Sequence, residues 1–177
     1  LNLLIKPFWI FGIDRTVQNV VGAEDFGFYF VVFNFSFLFN ILFDFGITNF
    51  NNRNIAQNTQ LLNKHFSSIL ILKFMLAFVY FIITFSAGLL WGFRGNELWM
   101  LGLLGLNQFL ISLILYLRSN VSALLLFKTD SILSVLDRIL MIGICSVLLW
   151  GRVTNQQFQI EWFVYSQTAS YLLTAFI

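Results

Sequence analysis

The sequence predicts an all-α integral membrane protein, an antiparallel bundle of about six transmembrane helices. Three observations carry that prediction. Hydrophobic residues make up 59% of the 177 residues and charged residues only 10%, against about 25% charge in a soluble domain. The apolar runs are long enough to cross a bilayer as helices, which takes ~20 residues each. Proline is confined to Pro7, and the runs are continuous, whereas membrane-barrel strands alternate apolar and polar over ~10-residue segments.

In order, the expected spans are roughly 1–21, 28–49, 68–92, 98–117, 131–150 and 160–177. In the first, Pro7 and Gly12 invite a kink before the charged pair Asp14 and Arg15, which suggests a moving part. The polar stretches "GAEDFG", "NNRNIAQNTQLLNKHF", "FRGNE", "RSNVSALLLFKTD" and "GRVTNQQFQ" read as the connections. Such short links make sequential helices antiparallel neighbours. Segment 119–130, with Val121, Leu124, Leu125 and Phe127 between polar ends, is expected as a short interfacial helix. Arg53, Lys64, Arg118 and Lys128 fall on one side, which the positive-inside rule assigns to the cytoplasm. Arg15, Arg94 and Arg152 share the other side with Glu24, Asp25, Glu97 and Glu161.

Composition also excludes functions. The net charge of +2 is spread thinly, with no basic run to hold nucleic acid. A single cysteine, Cys145, forbids an intrachain disulfide and reads as a small buried apolar residue. With His65 the only histidine, no metal site is expected, nor any other cofactor. Nothing resembles a secretory signal peptide. The chain starts without methionine inside an apolar run and stops at "SYLLTAFI", so it is expected to be part of a longer protein.

The polar minority inside the spans is ordered. Residues four apart share a helix face, and Ser36, Asn40, Asp44 and Thr48 climb the second span at that step, with Asn51 near the next turn. Lys73, Tyr80, Thr84 and Gly88 follow in the third span, and Gln108, Ser112 and Tyr116 in the fourth. Asp130, Ser134 and Asp137 mark the fifth, and Glu161, Tyr165 and Thr168 the sixth. A charge at the bilayer centre costs about 2.5 to 3.5 kcal/mol on insertion scales, so Asp44, Lys73, Asp137 and Arg138 should face protein or water. The neutral members read as hydrogen-bonding glue between helices. "GLLWG" at 88–92 fits a small-xxx-small packing motif.

The stretch "VVGAEDFGFYFVVFNFSFLFNILFDFGITNFNNRNIAQ" resembles the first loop and second helix of polysaccharide and O-antigen flippases. These belong to the multidrug/oligosaccharidyl-lipid/polysaccharide exporter superfamily. Gly22, Glu24, Asp25, Phe26, Gly27, Tyr29, Asp44, Gly46, Arg53, Ile55 and Ala56 carry the likeness; "NQFLISLILYLRSN" and "LFKTDSILSVLDRILM" resemble its helices four and five. The resemblance implies that residues 1–177 are most of the amino-terminal lobe of a MATE-like two-lobe transporter. It implies no enzymatic chemistry, and a multi-pass place in the bacterial inner membrane. The expected function is flipping undecaprenyl-diphosphate-linked oligosaccharide by alternating access for cell-surface polysaccharide biosynthesis. The expected partners are that substrate, membrane lipids and glycan polymerases, with no nucleic acid. Related peptidoglycan-precursor flippases carry an Arg-Asp pair where this sequence has Asp14 and Arg15 in reversed order, and a basic residue where it has Asn40 or Ile41.

The implied substrate-binding residues are Lys6, Arg15, Asn40, Lys73 and Arg138, with the bases facing the diphosphate through charge-assisted bonds. Asp14, Asp44 and Asp137 would balance charge or couple to an ion. A cation-coupled multidrug exporter of the same superfamily is the rival expectation. A membrane glycan polymerase or ligase, which would need a large catalytic loop, and a passive scaffold are the others.

Overall fold

The computed structural model describes residue 5, residues 7–151 and residues 158–177. Among these, all regular structure is helical. Helix α1 starts as a π-helical stretch, Phe8–Asp14, and continues as Arg15–Val21. Then come α2 (Ala23–Leu38), a 3-10 turn (Asn40–Phe43), α3 (Ile47–Gln57), α4 (Leu61–Trp91), α5 (Asn96–Ala123), α6 (Phe127–Trp150) and α7 (Ile160–Phe176).

Helices α4, α5 and α6 are long and apolar enough to cross a membrane, and α1 with α2 adds a fourth if that pair, bent by 119°, is one span. Helix α7, at 17 residues, is shorter. Helix α5 is the hub: it packs against α2, α3, α4, α6 and α7.

On α4 the burial pattern is inverted with respect to a soluble bundle, although α5 and α7 keep an apolar core around Met100, Leu104 and Phe163. Helix α4 buries Lys73, Ala77, Tyr80, Thr84 and Gly88 and exposes Ile71, Phe74, Met75, Phe78, Ile82 and Leu90. Lipid tails are as apolar as leucine, so a helix gains nothing by hiding leucine from them. Small and polar residues turn inward instead. At Gly88 and Gly105 an added Cβ would come within 3.0 Å of Leu101 and of Phe81, so these glycines let α4 and α5 approach closely.

Several expectations are corrected. "GAEDFG" is not a loop. The chain turns at Gly22 (φ +96°) and α2 begins at Ala23, with Glu24 and Asp25 in its first turn, where the helix dipole favours acids. The second span is not one continuous helix but breaks between α2 and α3. The sixteen-residue connection from Asn51 is mostly the end of α3 and the start of α4. Segment 119–130 holds no separate interfacial helix, since α5 runs to Ala123 and α6 begins at Phe127. In "GLLWG", Gly88 is a packing residue, but Gly92 (φ +99°) is the left-handed cap that ends α4. The connection over 151–159 falls mostly outside the described residues.

Candidate functional site

Polar side chains gather at two centres along α5, and Ile111 lines the cavity at each. The first lies at the break between α2 and α3. The 3-10 turn ends at Phe43, Phe45 and Gly46 adopt positive φ (43° and 82°), and Asp44 caps the restarted helix by accepting from the Thr48 N–H at 3.2 Å. The Thr48 hydroxyl also donates to Asp44. From α4, the Lys73 ammonium donates to Asp44 Oδ1 at 2.8 Å, to Ser112 Oγ of α5 at 2.9 Å and to the Phe43 carbonyl at 3.2 Å. Its three donors are thereby used. Lys73 is 1% exposed and the Asp44 side chain 35%. A cavity of ≈ 290 Å³ opens beside them, lined by Asn40, Asp44, Thr48, Asn49, Ile111 and Ser112 among others.

The second centre lies between α1, α2, α5, α6 and α7, a cavity of ≈ 330 Å³ whose polar lining is Asp14, Tyr29, Asn107, Gln108, Gln167 and Tyr171. Gln167 donates to the Tyr29 hydroxyl at 3.2 Å, and its carbonyl accepts from Asn107 at 3.3 Å. Thr168 donates to Asn107 Oδ1 at 2.7 Å. Aromatic rings complete the wall: Trp9 stacks on Phe163 at 5.8 Å, and Tyr29 meets the same ring edge-on at 5.6 Å. Asp14 lines this cavity and also a more open cleft of ≈ 560 Å³ that holds Arg15, Gln18 and Asn19. The π-helical stretch carries Asp14 at its end. Such insertions mark functional sites often enough to draw the eye.

The expected site residues therefore divide. Asp14 and Arg15 sit in one cleft; Asn40 and Asp44 line the small cavity. Lys73 does not face open space, so its expected role as an anion partner gives way to a structural one: it holds the broken helix together. Asp137 is half-buried on α6, with Oδ1 buried and unpartnered among the described residues, in electrostatic reach of Arg138 and Arg118. Arg118 itself pairs with Asp130 at 2.9 Å. Lys6 lies outside the described residues.

On α7 the expected stripe of Glu161, Tyr165 and Thr168 is displaced. Thr168 does reach Asn107, but the buried polar residues are Ser166, Gln167, Ser170 and Thr174, beside the apolar Ile160, Phe163 and Val164. Ser166, Ser170 and Thr174 recur every four residues, so the spacing rule that found the other stripes could have found this one. Asn107 and Tyr29 also belong to the second centre but to none of the expected stripes; Asn107 stands beside Gln108, and Tyr29 entered only through the family likeness.

Comparison with protein-family models, with curated proteins and with solved structures finds no match. Any reading of function rests on the chemistry of these two centres.

Proposed function

We propose that this chain is the transmembrane lobe of a bacterial inner-membrane flippase, one that carries undecaprenyl-diphosphate-linked oligosaccharide between leaflets by alternating access. The carrying observation is the ≈ 330 Å³ cavity, in which amide, phenol and carboxylate groups from α1, α2, α5 and α7 share a wall with stacked aromatic rings. Sugars present hydroxyls to the first set and apolar C–H faces to the second. Arg15 lines the adjoining cleft, and on this reading it would meet the diphosphate by charge-assisted bonds. Asp14, common to both spaces, balances that charge. The broken helix beside Lys73 fits a carrier, since discontinuous helices recur where transporters handle polar cargo.

One observation favours the rival, a cation-coupled exporter. Among the described residues Asp14 is the only charged one lining the aromatic cavity, and a carboxylate among rings suits an organic cation. Gene deletion separates the two. A flippase deletion halts surface glycan export and accumulates the lipid-linked precursor; an exporter deletion leaves the glycan intact and sensitises cells to cationic drugs. Normal export after deletion contradicts the first reading.

A further inference from the structure

A helix broken inside an apolar chain leaves carbonyls that lipid cannot satisfy, so something within the protein must. At the break between α2 and α3 that something is an ammonium. Around Lys73 Nζ stand the Asp44 carboxylate at 2.8 Å, the Ser112 hydroxyl at 2.9 Å and the Phe43 carbonyl at 3.2 Å, with the Tyr116 ring 5.9 Å away. All the hydrogen-bonding ligands are oxygens, drawn from a carboxylate, a hydroxyl and an unwound backbone. Transporters coordinate small cations with donors of this kind.

We infer that the Lys73 ammonium is a tethered cation filling an oxygen cage at the helix break, and that the cage binds a free alkali cation when the side chain is removed. The charge of the cage selects a monovalent ion: Asp44 is its one carboxylate and the other oxygens are neutral. A divalent ion such as Ca²⁺ takes six to eight oxygens, commonly with several carboxylates, and the described residues hold no cluster of three metal-ligating acids, histidines or cysteines. An entry route exists, because Asp44 and Ser112 also line the ≈ 290 Å³ cavity. In the native chain the tether makes an alkali ion unnecessary at this point, whatever substrate the protein carries.

Thermal unfolding in detergent, in NaCl, KCl or choline chloride at equal ionic strength, tests this. The native protein should melt at one temperature in all three. Lys73→Ala should lose several degrees in choline chloride, the effect of leaving the part-exposed Asp44 carboxylate and the Phe43 carbonyl without their cation, and should regain most of it in NaCl or KCl. Lys73→Ala combined with Asp44→Asn should not distinguish the salts. The inference is overturned if the native protein depends on the alkali ion, or if Lys73→Ala melts alike in every salt. It is equally overturned if Lys73→Ala is unfolded in all salts, whether or not the double variant folds, because a free ion then cannot replace the ammonium.

Discussion

Tyr80 illustrates how a single side chain couples helices in this protein. Its hydroxyl donates to the Ser36 carbonyl at 3.0 Å, which leaves its oxygen to accept from the Ser36 hydroxyl at 2.6 Å. Both residues are fully buried. The ring meanwhile packs on Phe43 with centroids 4.1 Å apart, steadying the turn from which Lys73 draws a carbonyl. Tyr80→Phe keeps the ring and deletes the bonds. It should destabilise by about 1 kcal/mol, the usual scale for a hydrogen bond between membrane helices, and Ser36→Ala in that background should add little; a urea or thermal double-mutant cycle measures the coupling. Equal losses that simply add would mean the two hydroxyls do not interact. Tyr80 and Ser36 were both legible in the sequence as stripe members. Their pairing was not, because helical spacing gives a residue's face and never its partner on another element.

At the scale of elements, the chain is governed by how its helices stop. Helix α4 ends with the Phe93 N–H bonded back to the Gly88 carbonyl at 2.9 Å and the Gly92 N–H to the Leu89 carbonyl at 3.1 Å, with Gly92 supplying the left-handed residue. Helix α5 ends in the same pattern, Leu126 to Val121 at 3.3 Å and Leu125 to Ser122 at 3.0 Å. There the left-handed position holds Leu125, at φ +61°. A leucine in that conformation costs roughly 1 to 2 kcal/mol, and Leu125 is largely exposed, so it offsets little of this by packing. Leu125→Gly should therefore raise the melting temperature by a few degrees. A fall would mean that the leucine is anchored by contacts with the bilayer.

The helix break at residues 39–46 belongs to the same scale. Its apolar composition and its four-residue polar step both read as an intact helix, and only Gly46 hinted otherwise. The break survives because Asp44, Lys73 and Ser112, from three different elements, satisfy it together. A single-segment pattern cannot contain that information. The same limit explains why "GAEDFG" read as a loop when Glu24 and Asp25 in fact open a helix.

For the whole molecule, the composition carried most of what the described residues display: helices, long apolar spans, and polar residues turned inward. What it could not give was the partition of those polar residues. They line two cavities that follow one another along a single face of α5 and meet at Ile111. Charge alone placed Lys73 with the anion-binding residues, yet its burial against Asp44 commits it to the fold. The central claim is that the cavity between α1, α2, α5 and α7 is wetted from outside the membrane while the apolar face of α4 is not. Cysteine labelling in intact membranes with a water-soluble maleimide tests this most directly, using a Cys145→Ser background to silence the buried thiol. Asn107→Cys and Tyr171→Cys should be modified, whereas Phe78→Cys and Ile82→Cys should not. Labelling of the α4 positions with none at Asn107 and Tyr171 would contradict the account.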